Sequence, residues 1–196
     1  MRLRTPSRPS RPVRRALLGT TATALALLGA VLWFGFPYPA VDPDAVAARL
    51  EAEVRRTYDE AGLPPGSAPE RGPIGTSSCY YRGLRYLAHF DRPRPDVSGF
   101  TLSWRTEGVS EAAARTGLER TRARLTAAGW KSGWEDGHDP GAQFEHPDSG
   151  DKVTVDWYGT SGATGTYEVS VYAACGKLPD GFDPDDRAPA ASPPAL

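Results

Sequence analysis

Residues Ala16–Phe36 (ALLGTTATALALLGAVLWFGF) run for 21 positions without a charged side chain. A helix of that length spans about 31 Å, which matches a hydrocarbon core of roughly 30 Å. Its only polar side chains are Thr20, Thr21 and Thr23, whose hydroxyls can bond back to helix carbonyls. Trp33, Phe34, Phe36 and Tyr38 gather at the far end, where aromatic rings favour the membrane–water interface. Pro37 and Pro39 then stop the helix. Arg2, Arg4, Arg8, Arg11, Arg14 and Arg15 precede the stretch, and the first acid of the chain is Asp42. The positive-inside rule therefore predicts a single-pass helix over 16–36, a basic cytoplasmic tail over 1–15, and an extracytoplasmic remainder.

The span exceeds the 7–15 residues of a usual signal core, so it reads as a retained anchor. Signal cleavage wants small residues at −3 and −1, and Tyr38-Pro39-Ala40 puts a bulky ring at −3. Ala22-Thr23-Ala24 has small residues but lies inside the apolar run. The net charge of -1 hides an asymmetry, because beyond the six arginines 17 basic residues face 24 acidic ones. An acidic outer part is a poor nucleic-acid binder. Membrane lipid is the first partner implied, with an envelope protein or cell-wall component as the candidate for the outer domain.

Asp42-Pro43 opens a helix as N-cap and first helical residue. Val46, Leu50, Val54 and Tyr58 form its apolar stripe, and Gly62 caps its end. Leu63–Ser78 reads as a linker or long loop. The aromatic run from Cys79-Tyr80-Tyr81 to Phe90 reads as a strand, and Asp91–Pro95 as a loop. Phe100, Leu102 and Trp104 alternate with Thr101, Ser103 and Arg105 in a half-buried strand. Ser110 caps a second helix, Glu111–Ala128, with Ala114, Leu118, Leu125 and Ala128 on its inner face and Gly129 ending it. A meander follows: a short strand over 142–145, a strand with Val153, Val155 and Trp157 inward, and a last one with Tyr167, Val169, Val171 and Ala173 inward. Together these predict an α+β domain over 42–178, with an antiparallel sheet and the helices packed on one face. The Pro/Asp-rich tail over 179–196 is expected to be disordered.

This element order, with Gly-Trp after the second helix and a Cys closing the last strand, resembles a diffuse group of small secreted or membrane-attached actinobacterial proteins without assigned function. Twenty Arg against three Lys agrees with such a high-GC source. The resemblance implies an envelope setting and no activity.

Cys79 and Cys175 are the only cysteines, and both follow the anchor. An oxidising compartment favours their pairing as a structural disulfide, which on the chain-entropy model could stabilise by up to ~4.7 kcal/mol. Cys175 continues the inward parity of the last strand and is expected to point into the core. No C-x-x-C redox spacing is present.

The densest polar cluster is Glu135, Asp136, His138, Asp139, Glu145 and His146. Imidazoles and carboxylates together can hold Zn²⁺, but Gly137, Pro140 and Gly141 interrupt the run, and the two histidines lack i, i+4 spacing. It reads as a solvated turn, so no metal or cofactor is expected. Neither a G-x-S-x-G elbow nor Ser-x-x-Lys occurs, and Gly159–Gly165 lacks the Lys-Ser/Thr ending of a phosphate loop. No catalytic residue is assigned, and a binding or structural domain is favoured over an envelope hydrolase or metal-dependent enzyme. The remaining lead is aromatic. Tyr158 and Tyr172 have outward parity on two neighbouring strands, as an exposed aromatic pair for a sugar or a partner's side chain or as a cross-strand pair that stabilises the sheet.

Overall fold

In the computed structural model, which describes residues 28–64, 69–136, 140–160 and 162–182, the first soluble helix starts where its capping residues put it. Helix α1 (Pro43–Ala61) has Asp42 as N-cap, whose carboxylate accepts from the Asp44 amide at 3.0 Å, and Gly62 as a left-handed C-cap. Its buried face is Val46, Ala47, Leu50, Val54, Thr57 and Ala61. Four elements lie between α1 and the second long helix: β1 (Glu70–Arg71), β2 (Gly75–Tyr80), the single helical turn α2 (Arg85–Ala88) and β3 (Pro93–Ser110). Helix α3 (Glu111–Ala127) follows, then β4 (Lys131–Asp136), β5 (Gly141–Glu145), β6 (Lys152–Tyr158) and β7 (Thr164–Lys177).

The described residues divide into two compact units: those up to Pro37 with Tyr80–Pro93, and those from Tyr38 to Cys79 with those from Arg94 onward. The larger unit is the α+β body. Its sheet runs β1-β3-β7-β6-β5-β4, with β2 also pairing β3. The β1–β3, β3–β7, β7–β6, β6–β5 and β5–β4 pairs are all antiparallel. Phe100, Leu102, Phe144, Val153, Val155, Tyr167, Val169 and Val171 line one face, and the inner sides of α1 and α3 join them in one core. Helix α3 meets α1 closely because Gly117 has no side chain: a Cβ there would lie 3.3 Å from Ala61. Arg124 links the two helices, donating to Glu53 at 2.8 Å and to Thr57 at 2.6 Å.

The end of α3 is a six-to-one cap in which the Trp130 amide donates to the Leu125 carbonyl and the Gly129 amide to Thr126, each at 3.0 Å. Gly117 and Thr121 join the buried face, while Ala128, expected there, is exposed in the cap.

Several expectations need correction. The segment Leu63–Ser78 carries β1 and most of β2. The aromatic run from Cys79 to Phe90 is no strand beyond Tyr80, since Gly83 has φ +63° and the chain turns into α2. The predicted loop Asp91–Pro95 already contains the start of β3. Lys131–Asp136, whose last two residues the sequence reads as part of a solvated turn, is edge strand β4, bulged between Ser132 and Glu135. An edge strand needs a partner on one side only, so its polar composition hides it.

Phe182 packs against the core beyond the boundary expected at residue 178. The proposed basic tail, residues 16–27 of the apolar stretch, His138, Asp139 and residues 183–196 lie outside the described residues. Residues 28–34 are helical. Among the described residues no helix is long and apolar enough to cross a membrane.

Candidate functional site

The sheet face opposite the helices is the larger candidate. Strand alternation turns Thr154, Asp156 and Tyr158 of β6, and Glu168, Ser170 and Tyr172 of β7, away from the core. Across the strands they form rows: Gln143, Thr154, Ser170 and Ser103 in one, Gly141, Asp156, Glu168 and Arg105 in the next. The first row is tied by a Ser103–Ser170 hydroxyl bond of 2.6 Å, and the second by an Arg105–Glu168 ion pair of 3.5 Å. Thr154 and Ser170, at the centre, are buried.

Tyr158 is 59% exposed and Tyr172 39%, so both are open to contact. They do not form a cross-strand pair. Tyr172 stands opposite Lys152 and Tyr158 opposite Thr166, which sets their backbones six ladder steps, about 20 Å, apart. The Tyr158 ring leans back over the face: partial burial, then the Asp156 and Glu168 carboxylates, and more weakly Tyr172, push its hydroxyl up to about 12. Tyr158 thus remains a protonated donor at neutral pH. Trp134 of β4 joins this face, its indole donating to Gln143 at 3.3 Å while 44% of the residue stays exposed. Sequence reasoning missed it because its strand was missed.

The second candidate is a cleft of about 250 Å³ between α1 and the β5–β6 turn, lined by Arg49, Leu50, Glu53, Trp130, His146, Ser149, Asp151 and Val171. Trp130 and His146 meet edge to face at 5.3 Å. His146 Nδ1 accepts from the Asp148 and Ser149 amides at 3.4 and 3.3 Å, so the tautomer that fits carries its proton on Nε2. The two carboxylates are already engaged. Asp151 pairs with Arg49 and accepts from the Ala174 amide at 2.9 Å. Glu53 is held by Arg124 and, at 3.7 Å, by Arg56. Arginines therefore already occupy carboxylate oxygens that a metal would need. Among the described residues no group of three or more His, Cys, Asp and Glu is placed to hold a metal ion. Of the expected polar cluster, Glu145 pairs with Lys152 at 3.7 Å and His146 sits in the cleft; the Glu135 and Asp136 side chains lie outside the described residues.

Cys79 and Cys175 form a disulfide with their Cα atoms 6.0 Å apart. Cys175 does not point into the core as its parity implied. Ser98 pairs with Gly176 but Phe100 with Ala173, so β7 carries an extra residue at this point. The bulge resets the alternation. Gly176 faces Val41, which packs against the core, and Cys175 turns to the polar face.

No protein-family model, curated protein or solved structure matches this chain.

Proposed function

We propose that this is a single-pass envelope protein, anchored by residues 16–36 with its N-terminus in the cytoplasm, whose outer α+β domain is a binding module for an envelope protein or a cell-wall component. The observation that carries this reading is the one-sided cover of the sheet. Both long helices add their buried residues to the core face, and the other face presents Tyr158, Tyr172 and Trp134 around a hydrogen-bonded polar centre. Large amphipathic rings on a rigid sheet are effective contact residues at low entropic cost. The uncharged stretch behind six arginines supports the anchor and its orientation, and the Cys79–Cys175 disulfide fits an oxidising compartment.

The rival reading is an envelope hydrolase or metal-dependent enzyme, and one observation favours it: His146, Glu53 and Asp151 share a cleft. It is the weaker reading, because arginines hold both carboxylates. Crosslinking in membranes followed by recovery of the full chain tests the proposal. A defined partner or wall fragment, lost when Tyr158 and Tyr172 are replaced, supports it; turnover that depends on His146 favours the rival.

A further inference from the structure

The smaller unit joins the end of the apolar stretch to the segment Tyr80–Pro93. That segment sits on the last turn of the helix over residues 28–34. The Leu84 amide donates to the Leu32 carbonyl at 2.9 Å, and Arg82 donates to the Phe36 carbonyl at 3.3 Å. Arg85 lies over the rings of Phe34, at 5.5 Å, and Tyr81, at 4.9 Å. The contact is close because Gly83 has no side chain: a Cβ there would meet the Leu32 carbonyl oxygen at 2.7 Å. Carbonyls of a helix's last turn lack partners within the helix, and leaving them bare is costliest near lipid.

What this segment turns outward is apolar. Helix α2 buries none of its residues. Leu87 is 72% exposed, Phe90 64% and Leu84 48%, next to Phe36 at 73% and Phe34 at 57%. A patch of this kind marks an interaction surface. Arg82, Arg85 and Arg92 are interleaved with it, against one acid, Asp91.

We infer that Tyr81–Arg92 is a membrane-interface loop: Leu84, Leu87 and Phe90 enter the outer edge of the lipid bilayer, and the arginines meet lipid phosphates. The inference rests on the anchor reading and deepens it. The occupant is lipid because the patch continues the apolar surface of the stretch itself, and the Leu84–Leu32 bond fixes the loop at the depth of the helix end. Apolar side chains next to cations, about 5–10 Å into the headgroup–acyl boundary, are how interfacial segments bind. Arginine stems can lie along that boundary while their heads reach phosphate.

The test uses the full chain reconstituted in vesicles of phosphatidylcholine and phosphatidylglycerol, with a photoreactive diazirine side chain placed at either Leu87 or Trp33. Both positions are expected to give lipid adducts, the Leu87 yield within a few-fold of that at Trp33. Lipid adducts at Trp33 alone, with Leu87 labelling water or a second copy of the chain, would overturn the loop and leave the anchor standing. Absence of lipid adducts at both positions would overturn the anchor and the loop with it. Leu87 is exposed enough that the replacement leaves the unit's own contacts in place.

Discussion

Cys79 reaches Cys175 across the backbone of Gly99, on the side of the sheet away from the helices. Gly99 alternates with core-facing Phe100, and a Cβ built on it would lie 3.2 Å from the Ala173 carbonyl oxygen and 3.9 Å from the Cys79 sulfur. β3 lies between the two bonded strands, pairing β2 on one side and β7 on the other. The bridge therefore clamps three strands at once and closes a sequence separation of 96 residues.

Removing this bridge should destabilise the domain strongly. For Cys175→Ala a loss of about 2–5 kcal/mol is expected, as for native disulfides in small secreted domains. Denaturant midpoints of wild type and variant measure it. Equal midpoints, or two free thiols in the wild type under non-reducing conditions, would contradict the clamp.

A side chain at Gly99 should cost stability independently. Gly99→Val forces a branched group against the Ser77 hydroxyl of β2, 2.5 Å from a Cβ at this position, and the Ala173 carbonyl of β7, and overpacking of this kind typically costs about 1–3 kcal/mol. Thermal unfolding under oxidising and reducing conditions separates two effects. A cost that persists after reduction comes from backbone crowding, and a cost that vanishes comes from the bridge. The expected result is a cost under both conditions. An unchanged melting temperature would show that β2 can give way.

The same locus shows where the sequence stops being legible. Hydrophobic alternation identifies β3, β6 and β7 because every second side chain reports its face directly, and Asp42, Gly62, Ser110 and Gly129 mark helix ends through local chemistry. A bulge is different: one extra residue beside Gly99 turns Cys175 to the opposite face, and nothing in the alternating run before it announces the insertion. Strand β4 was hidden by edge polarity. The rings of Tyr158 and Tyr172 share a face, as their parity implied, but a hairpin around Gly162 pairs Tyr158 with Thr166 and so puts Tyr172 opposite Lys152. Their separation follows from where the turn sits, not from the face pattern. The cleft joins residues as far apart as Arg49 and Asp151, which no local pattern connects.

Alkaline pH should unfold the domain through Tyr167. Its ring is fully buried, and burial, opposed by the nearby Thr121 hydroxyl and reinforced by Tyr58, raises its ionisation far above the usual value. In the unfolded chain a tyrosine ionises near pH ~10, so above that pH only the unfolded state releases the proton readily. The stability that a neutral Tyr167 contributes is therefore complete below about pH 10 and falls as pH rises toward its folded value. Denaturant midpoints of wild type are expected to drop above that pH, and those of Tyr167→Phe to drop less. Parallel pH profiles for the two proteins would assign the alkaline transition to other groups.

Replacing Tyr158 and Tyr172 together should separate binding from stability. Both rings are exposed, and neither joins the core cluster, so Tyr158→Ser with Tyr172→Ser is expected to shift stability by about 1 kcal/mol or less. Recovery of a crosslinked partner from membranes should fall at least several-fold, because two of the largest contact surfaces on the face are gone. The wide spacing of their backbones makes a further outcome informative. If a short ligand binds one end only, a single replacement should account for nearly all of the loss. If an extended partner lies along the face, each single replacement should weaken recovery and the double replacement should weaken it more. Full recovery from a folded double variant would remove this face as the contact surface. Trp134, on β4 of the same face, extends the series across the sheet: an extended partner that crosses the strands should also be weakened by Trp134→Ser, and one confined to β6 and β7 should not.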